Sequence, residues 1–218
     1  MPHTRNLTQD DLPEALPVFP LGGVILLPGA ELPLNIFEPR YLAMIDAALS
    51  SASRLIGMIQ PMTPEGPGAP PILARVGCAG RLVGFQETGD GRYLIVLKGV
   101  ARFRVDQELQ TDQPFRIVKP DWNSYSQDLG VEEAGRIDTT PLTRVLREYL
   151  DRNDLGADWG TITEAPAAKL INSLSQGCPF TISEKQALLE ARTLEDRCSA
   201  LIALLAMERP GASGGYVQ

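Results

Sequence analysis

Five side chains carry most of the chemistry this chain could perform: Glu38, Arg40 and Tyr41 in one short stretch, and Arg102 and Arg104 in another. A carboxylate, guanidinium groups and a phenol are equipped to grip a peptide through charge-assisted hydrogen bonds and ring contacts. Glu38 precedes Pro39, which opens a helix, and a carboxylate there complements the helix N-terminus. Arg40 falls in the first turn, where its charge opposes the helix dipole, so a specific partner is expected. Two readings follow. In the first, which takes precedence, Arg40 belongs to an internal ion pair pinning the helix to the rest of the fold. In the second, Glu38, Arg40, Tyr41, Arg102 and Arg104 form a rim that takes peptide carboxylates or backbone. Met62, Ile72 and Leu73 would extend that surface with apolar contact.

Catalytic chemistry finds little support. The single histidine, His3, lies in a polar start of the chain and is read as solvated. No Lys follows Gly and precedes Ser or Thr, so the phosphate-cradling P-loop pattern is missing. The residues three before the four lysines are Ile95, Arg116, Pro166 and Ile182, which removes the Ser-x-x-Lys pattern. Gly211-Ala212-Ser213-Gly214-Gly215 matches a hydrolase elbow in spelling only, because it follows a helix-ending proline and has no strand before it. Cys78, Cys178 and Cys198 are too widely spaced for a Cys-x-x-Cys metal site and read as reduced core thiols. Carboxylates at Glu132-Glu133, Asp151/Asp154/Asp158 and Glu195-Asp196 read as linker, loop and helix-start charges. The expectation is a non-enzyme with no cofactor and no metal.

The elements that must position these side chains can be read from periodicity. Residues 16–41 hold five prolines among short apolar runs, at Leu16–Phe19, Val24–Leu27 and Leu32–Phe37, each expected to be a strand. Prolines in such runs are tolerable at sheet edges and bends, which favours a small, sharply bent barrel. Strands are also expected at Arg54–Gln60, Val76–Glu87, Arg92–Gly99, Val100–Glu108 and Phe115–Trp122, giving roughly seven around one helix at 39–50. The Pro-rich segment 61–71 is a loop, and Asp90-Gly91 a tight turn. Residues 123–139 read as a polar linker. Beyond them the period becomes helical. Thr140 is the expected cap of a first helix with Leu142, Val145, Leu146, Tyr149 and Leu150 inward, and a second covers 165–176. Ser183 and Gln186 form the expected capping box of a third, with Ala187, Leu188 and Ala191 apolar. Thr193 caps a fourth, with Leu194, Cys198, Leu201, Ile202 and Leu205 inward. The fold class is α+β: a β-barrel subdomain over 14–122, a linker over 123–139, a helical bundle over 140–208 and a flexible tail over 209–218.

Charge adds a constraint. The chain is net −7, yet residues 54–119 hold 9 basic against 6 acidic side chains. Only 4 of the 20 basic residues are lysines, so guanidinium chemistry dominates. An acidic protein without an interleaved aromatic and basic stripe is poorly suited to nucleic acid, although the basic middle keeps RNA as the alternative ligand. No apolar stretch reaches the ~20 residues of a spanning helix, and the amino end lacks the basic and apolar parts of a signal peptide, so a cytoplasmic protein is expected.

Several of these motifs resemble the N-terminal domain of the ATP-dependent Lon proteases. The resemblance rests on Phe19-Pro20-Leu21, Leu27-Pro28-Gly29, Leu32 to Tyr41, and Gly99, Arg102, Phe103 and Val105 in a G-x-x-R-F-x-V strand. It continues through residues 179–191 and 194–207, and so covers about 14–208. It implies a PUA-like barrel followed by a helical bundle, in a bacterial-type protein that recognises unfolded or partly folded polypeptides. The ATPase and peptidase that follow in full-length Lon are not expected here, since the sequence stops after the bundle. The expected role is therefore a stand-alone peptide- or protein-binding module, an adaptor or substrate-recognition factor working with a separate protease or chaperone. Binding through apolar grooves and β-edge pairing is expected.

Overall fold

Among the described residues, six strands and six α-helices form where apolar period and turn chemistry agree. The computed structural model describes residues 11–63, 70–130 and 137–207, and these divide into two compact units. One holds the sheet together with residues 180–189, and the other holds the remaining C-terminal helices. His3 and the 211–215 motif lie outside the described residues.

In the first unit the strands are β1 (Leu16–Pro20), β2 (Glu31–Ile36), β3 (Leu55–Ile59), β4 (Val76–Glu87), β5 (Tyr93–Leu109) and β6 (Arg116–Asp121), with helix α1 (Pro39–Ser50) between β2 and β3. The order across the sheet is β2-β5-β4-β3-β1-β6, and β6 also pairs with β5. The pairings β5–β4–β3–β1–β6–β5 therefore run in a ring, with β2 as a flanking edge. Among the described strand pairs, only β1 and β3 are parallel. Inside the ring sit Leu16, Val18, Leu55, Ile59, Phe103, Val118 and Trp122, all buried. The Phe103 ring needs the absence of two side chains, because a Cβ on Gly57 or Gly77 would lie 2.9 or 2.7 Å from it. No helix among the described residues is long and apolar enough to cross a membrane.

The expected strands differ from these in three places. Arg92–Gly99 and Val100–Glu108 are one bent strand, β5, because β4 absorbs the bend through register shifts at Ala79/Gly80 and Leu82/Gly84. Val24–Leu27 is not a strand. Ile25, Leu26 and Leu27 are fully buried, but the segment is held by isolated bonds, such as Gly29 N–H to Gly99 C=O at 2.9 Å, instead of a ladder. The start of the supposed linker, Asn123–Leu129, is 3₁₀ helix broken by a kink at the buried Tyr125. Asp121 caps it by accepting from the Ser124 hydroxyl (2.6 Å) and the Asn123 N–H (2.9 Å). These hydrogen bonds, the Ser124 bond foremost, hold its carboxyl below the usual range.

Helix α5 (Ile182–Glu190) groups with the sheet, so the first unit takes in a segment far beyond residue 122. Its capping pair is Thr181 and Glu184, not Ser183 and Gln186. The Thr181 N–H reaches the Glu184 carboxylate at 2.7 Å, and the Glu184 N–H reaches the Thr181 hydroxyl at 3.3 Å. Gln186 is instead buried: it donates to the Val76 carbonyl (3.0 Å) and accepts from the Gln60 amide (2.9 Å). The inward face is accordingly Lys185, Gln186, Leu188 and Leu189, while Ala187 is exposed. Gln186→Leu leaves the Val76 carbonyl and one Gln60 donor unpaired. It is expected to lower stability by about 2 kcal/mol in urea denaturation, and an unchanged midpoint would mean the amide pair is dispensable.

The second unit contains α2 (Thr140–Arg152), α3 (Trp159–Glu164), α4 (Ala167–Gly177) and α6 (Leu194–Ala206), with α2 and α4 both packed on α6. Helix α3 was not expected. Asp158 caps it, accepting from the Gly160 and Thr161 N–H groups. At α2 the N-cap is Thr139, one residue earlier than expected, and Asp138 accepts from the Thr140 N–H at 2.9 Å. Thr193 does cap α6, in a reciprocal pair with Asp196. Buried Arg197 reaches the Asn172 side-chain oxygen at 2.9 Å, and Arg152 reaches the Leu205 carbonyl at 2.7 Å. All three cysteines are buried and outside any disulfide, and desolvation pushes the Cys198 thiol up, away from reactivity.

Candidate functional site

Tyr41 is where the candidate site begins. It is held on α1 with its ring 4.3 Å from that of Phe19 on β1, and it is 7% exposed. Arg40 lies over the Tyr41 ring at 4.6 Å and bonds Glu38 through Nε at 2.9 Å. Glu38 is the residue before α1, in extended conformation, and its side chain makes no cap bond. Its carboxylate is turned to Arg40 instead. This pair joins two residues at the head of one helix.

Beside Arg40 and Tyr41 opens an apolar groove of about 440 Å³. One wall is Pro20, at the end of β1, and Ile182, at the start of α5. Gln60 fixes that second position by donating to the Ile182 carbonyl at 3.0 Å. Another wall is the stem of the Pro-rich loop, Pro61, Met62 and Thr63 against Pro70 and Pro71. Its two arms are tied together by Met62 N–H to Ile72 C=O (2.7 Å), Ala74 N–H to Gln60 C=O (2.8 Å) and Ile72 N–H to the Thr63 hydroxyl (2.9 Å). Pro114, Phe115 and Arg116, at the head of β6, complete the lining. Arg116 forks onto Glu108 at 2.6 and 2.5 Å and donates to the Pro71 carbonyl at 2.6 Å, so it braces the loop stem. Met62 and Ile72 are exposed, as a contact surface requires, while Leu73 is half-buried.

Arg102 and Arg104 do not line this groove among its described residues. Arg102 is 3% exposed. Its Nε and Nη2 meet the two oxygens of Asp128 at 2.8 and 2.7 Å, and its Nη1 donates to the Leu189 carbonyl at 3.1 Å. The guanidinium also lies 4.3 Å over the Tyr125 ring. Burial alone would lower its pKa, but the Asp128 hydrogen bond and charge outweigh that and raise it. Arg102 thus clamps the 3₁₀ helix and the end of α5 to β5. Arg104 is exposed, and its charge helps hold the Asp121 carboxyl low. Four of the nine basic side chains of the middle segment are engaged in such pairs: Arg116 with Glu108, Arg102 with Asp128, Lys119 with Asp106 and Arg92 with Asp90. Among the described residues, no group of acidic, histidine and cysteine side chains could hold a metal ion.

Sequence reasoning placed Arg40, Tyr41 and the loop stem at the site but missed Phe115, Arg116 and Ile182. Pro114-Phe115 ahead of a strand was a readable edge signal. Ile182 had none, because the helix that carries it begins one turn-chemistry choice earlier than the capping pair first assigned.

The five-residue strand β1, the α1 helix entered through Glu38-Pro39 and the ring of strands closed by the long β5 belong to the fold of a substrate-binding domain of the Lon type. The family model of the ATP-dependent protease La (LON) substrate-binding domain matches residues 15–207, and the chain belongs to that family. It is 28% identical over 208 residues to Lon protease 2 of Myxococcus xanthus, covering 93% of this chain and 25% of that protein. With the Lon protease of Roseiflexus castenholzii it shares 34% identity over 208 residues, again 93% of this chain and 25% of the relative. The chain thus spans about a quarter of the length of these curated relatives. Among solved structures it resembles a Lon N-terminal domain protein from Xanthomonas campestris, with TM-score 0.58 and 25% identity over 87% of this chain and 97% of the other. The N-terminal domain of the Mycobacterium avium complex Lon protease gives TM-score 0.63 at 19% identity, over 88% of this chain and 98% of that one, a likeness of fold.

Proposed function

We propose that this chain is a polypeptide-recognition module that performs no chemistry itself and serves as an adaptor or substrate-recognition factor in cytoplasmic proteolysis. In this reading a separate protease or chaperone receives the client. The observation that carries it is the apolar groove at the head of α1, in a chain of the Lon substrate-binding family. The described lining holds no carboxylate, histidine or cysteine, so it favours capture of side chains over bond-making. The ring of strand pairings supports the finer description of residues 14–122 as a PUA-like barrel, and the packing of α2 and α4 on α6 supports a helical bundle within 140–208.

The test is a titration of the purified protein with a fluorescent unfolded polypeptide and with a labelled RNA oligomer, each at low and physiological salt. Salt-tolerant binding of the polypeptide alone supports the proposal, since phosphate contacts weaken steeply with salt. Binding of RNA alone overturns it. Met62→Ser removes half-exposed apolar contact without touching the core. It is expected to weaken polypeptide binding about tenfold, as for the loss of one buried apolar side chain, with an unchanged melting temperature. Undiminished affinity would move the binding surface away from the groove.

A further inference from the structure

Away from the groove, β4, β5 and β2 present a second surface. Directly opposed residues share a face of a sheet, as do residues two apart along a strand. One face of these strands therefore carries Arg81 beside Lys98, then a row of Gly84, Val96 and Pro33, then a row of Gln86, Leu94 and Asn35. The register shift between Leu82 and Gly84 puts Gly84 in its row. The two outer rows line an open trough of about 540 Å³, where Leu94 is 42% exposed. Gly84 is its floor, since a Cβ there would lie 3.1 Å from the Val96 side chain. Arg81 and Lys98 at the end of the trough are like charges directly opposed, a pairing that costs stability. Among the described residues neither side chain has a hydrogen bond or ion pair, and the Arg81 Nε is buried without an acceptor. Glu31 lies across from Lys98 on β2, on the side away from Arg81, so an anion is admitted from the Arg81 side.

We infer that this face docks an extended segment of a partner protein in which a carboxylate stands two residues from an apolar side chain. The carboxylate sits on Arg81 and Lys98, and the apolar group lies over Gly84. The spacing follows from the register: Lys98 and Val96 are two residues apart on β5, about 7 Å, which is also the separation of same-face side chains in an extended ligand. A carboxylate there relieves the repulsion between the two cations and gains charge-assisted hydrogen bonds from both. A nucleic-acid backbone would need a run of cations, and the rows beyond this pair hold none. The face has to hold the partner, because Pro33, in the middle of the outer strand β2, has no N–H for a further strand. None of these residues lines the groove among its described lining, so the inference stands apart from the recognition reading.

Fluorescence anisotropy with the full chain and four labelled, otherwise Ser-rich peptides tests it. The first carries Glu and Leu two residues apart, the second has Gln for Glu, the third has Ser for Leu, and the fourth has Glu and Leu adjacent. The first is expected to bind about tenfold tighter than each of the others at low salt. Arg81→Met and Lys98→Met each remove the preference for Glu over Gln, while Met62→Ser, in the groove, leaves it unchanged. The melting temperature of both Met variants holds or rises, since the repulsion is gone, whereas an arginine with a structural role would lower it when replaced. Absent or equal binding of the four peptides overturns the inference. So does a preference that survives Arg81→Met, a lower melting temperature of that variant, or displacement of the first peptide by a labelled RNA oligomer.

Discussion

Arg102→Ala is expected to lower the unfolding free energy by about 3–5 kcal/mol, and Asp128→Ala by a comparable amount, because each leaves the other's charge buried and unpaired. The side chains of this pair are 3% and 5% exposed. Removing Arg102 also strands the Leu189 carbonyl and the Tyr125 ring face, while removing Asp128 strands the Arg102 backbone N–H, which it accepts at 2.9 Å. Replacing both partners by apolar residues of similar volume, Arg102→Met with Asp128→Leu, should cost much less than either single alanine, since no charge is left buried. Arg104→Ala, two residues along the same strand face where the side chain is exposed, should stay within about 0.5 kcal/mol. Urea denaturation of the four variants decides the matter. A melt that Arg102→Ala leaves in place, together with weakened polypeptide binding, would show that Arg102 meets a ligand and not the 3₁₀ helix.

That pair also shows where the sequence stops being readable. The alternation through β5 correctly set Arg102 and Phe103 on opposite faces, but nothing local says that the arginine face at residue 102 will be covered while that at 104 stays wet. The cover comes from Asp128 and Leu189, 26 and 87 residues away. Segment 123–129 looked like linker because it is polar, yet its polar residues are occupied: Asp121 and Ser124 close its first turn and Asp128 neutralises Arg102. By contrast, α1, β4 and the capping of α6 were legible, since their signals are local: Pro39 at a first turn, a β-rich run across 76–87 ended by the Asp90-Gly91 turn, and Thr193 three residues before Asp196. The groove was half legible for the same reason. Arg40, Tyr41 and the loop stem announce themselves within a few residues, whereas Ile182 reaches the groove through a Gln60 amide that donates to its carbonyl across 122 positions.

Val24–Leu27 failed for a different reason, and it leads to the other large effect: Gly99→Ala should cost at least about 3 kcal/mol, at the severe end of overpacking. Four apolar β-formers in a row look like a strand, but burial does not require a ladder. Here the segment lies across the sheet over two glycines that face each other in β4 and β5, Gly80 and Gly99. The Leu26 side chain fills the space where a Gly80 Cβ would be, at 2.6 Å, and the Leu27 carbonyl lies 2.0 Å from where a Gly99 Cβ would be. The backbone is stitched down at that point by Gly99 N–H to Ala30 C=O at 2.8 Å and Gly29 N–H to Gly99 C=O at 2.9 Å. Gly29 itself has φ +76°, which turns the chain into β2. A methyl at residue 99 meets backbone, which cannot rotate away, so it must lift Leu27–Ala30 and break both bonds. Because that turn leads into β2 and from there to Glu38 and α1, the lift should also disturb Arg40 and Tyr41 and weaken polypeptide binding. Gly89→Ala is the control, with nothing within 4 Å of its Cβ and no positive φ, and should leave stability unchanged. Comparable urea midpoints for the two variants would mean that segment 24–30 is not seated on the glycine pair and that the head of α1 is positioned by other contacts.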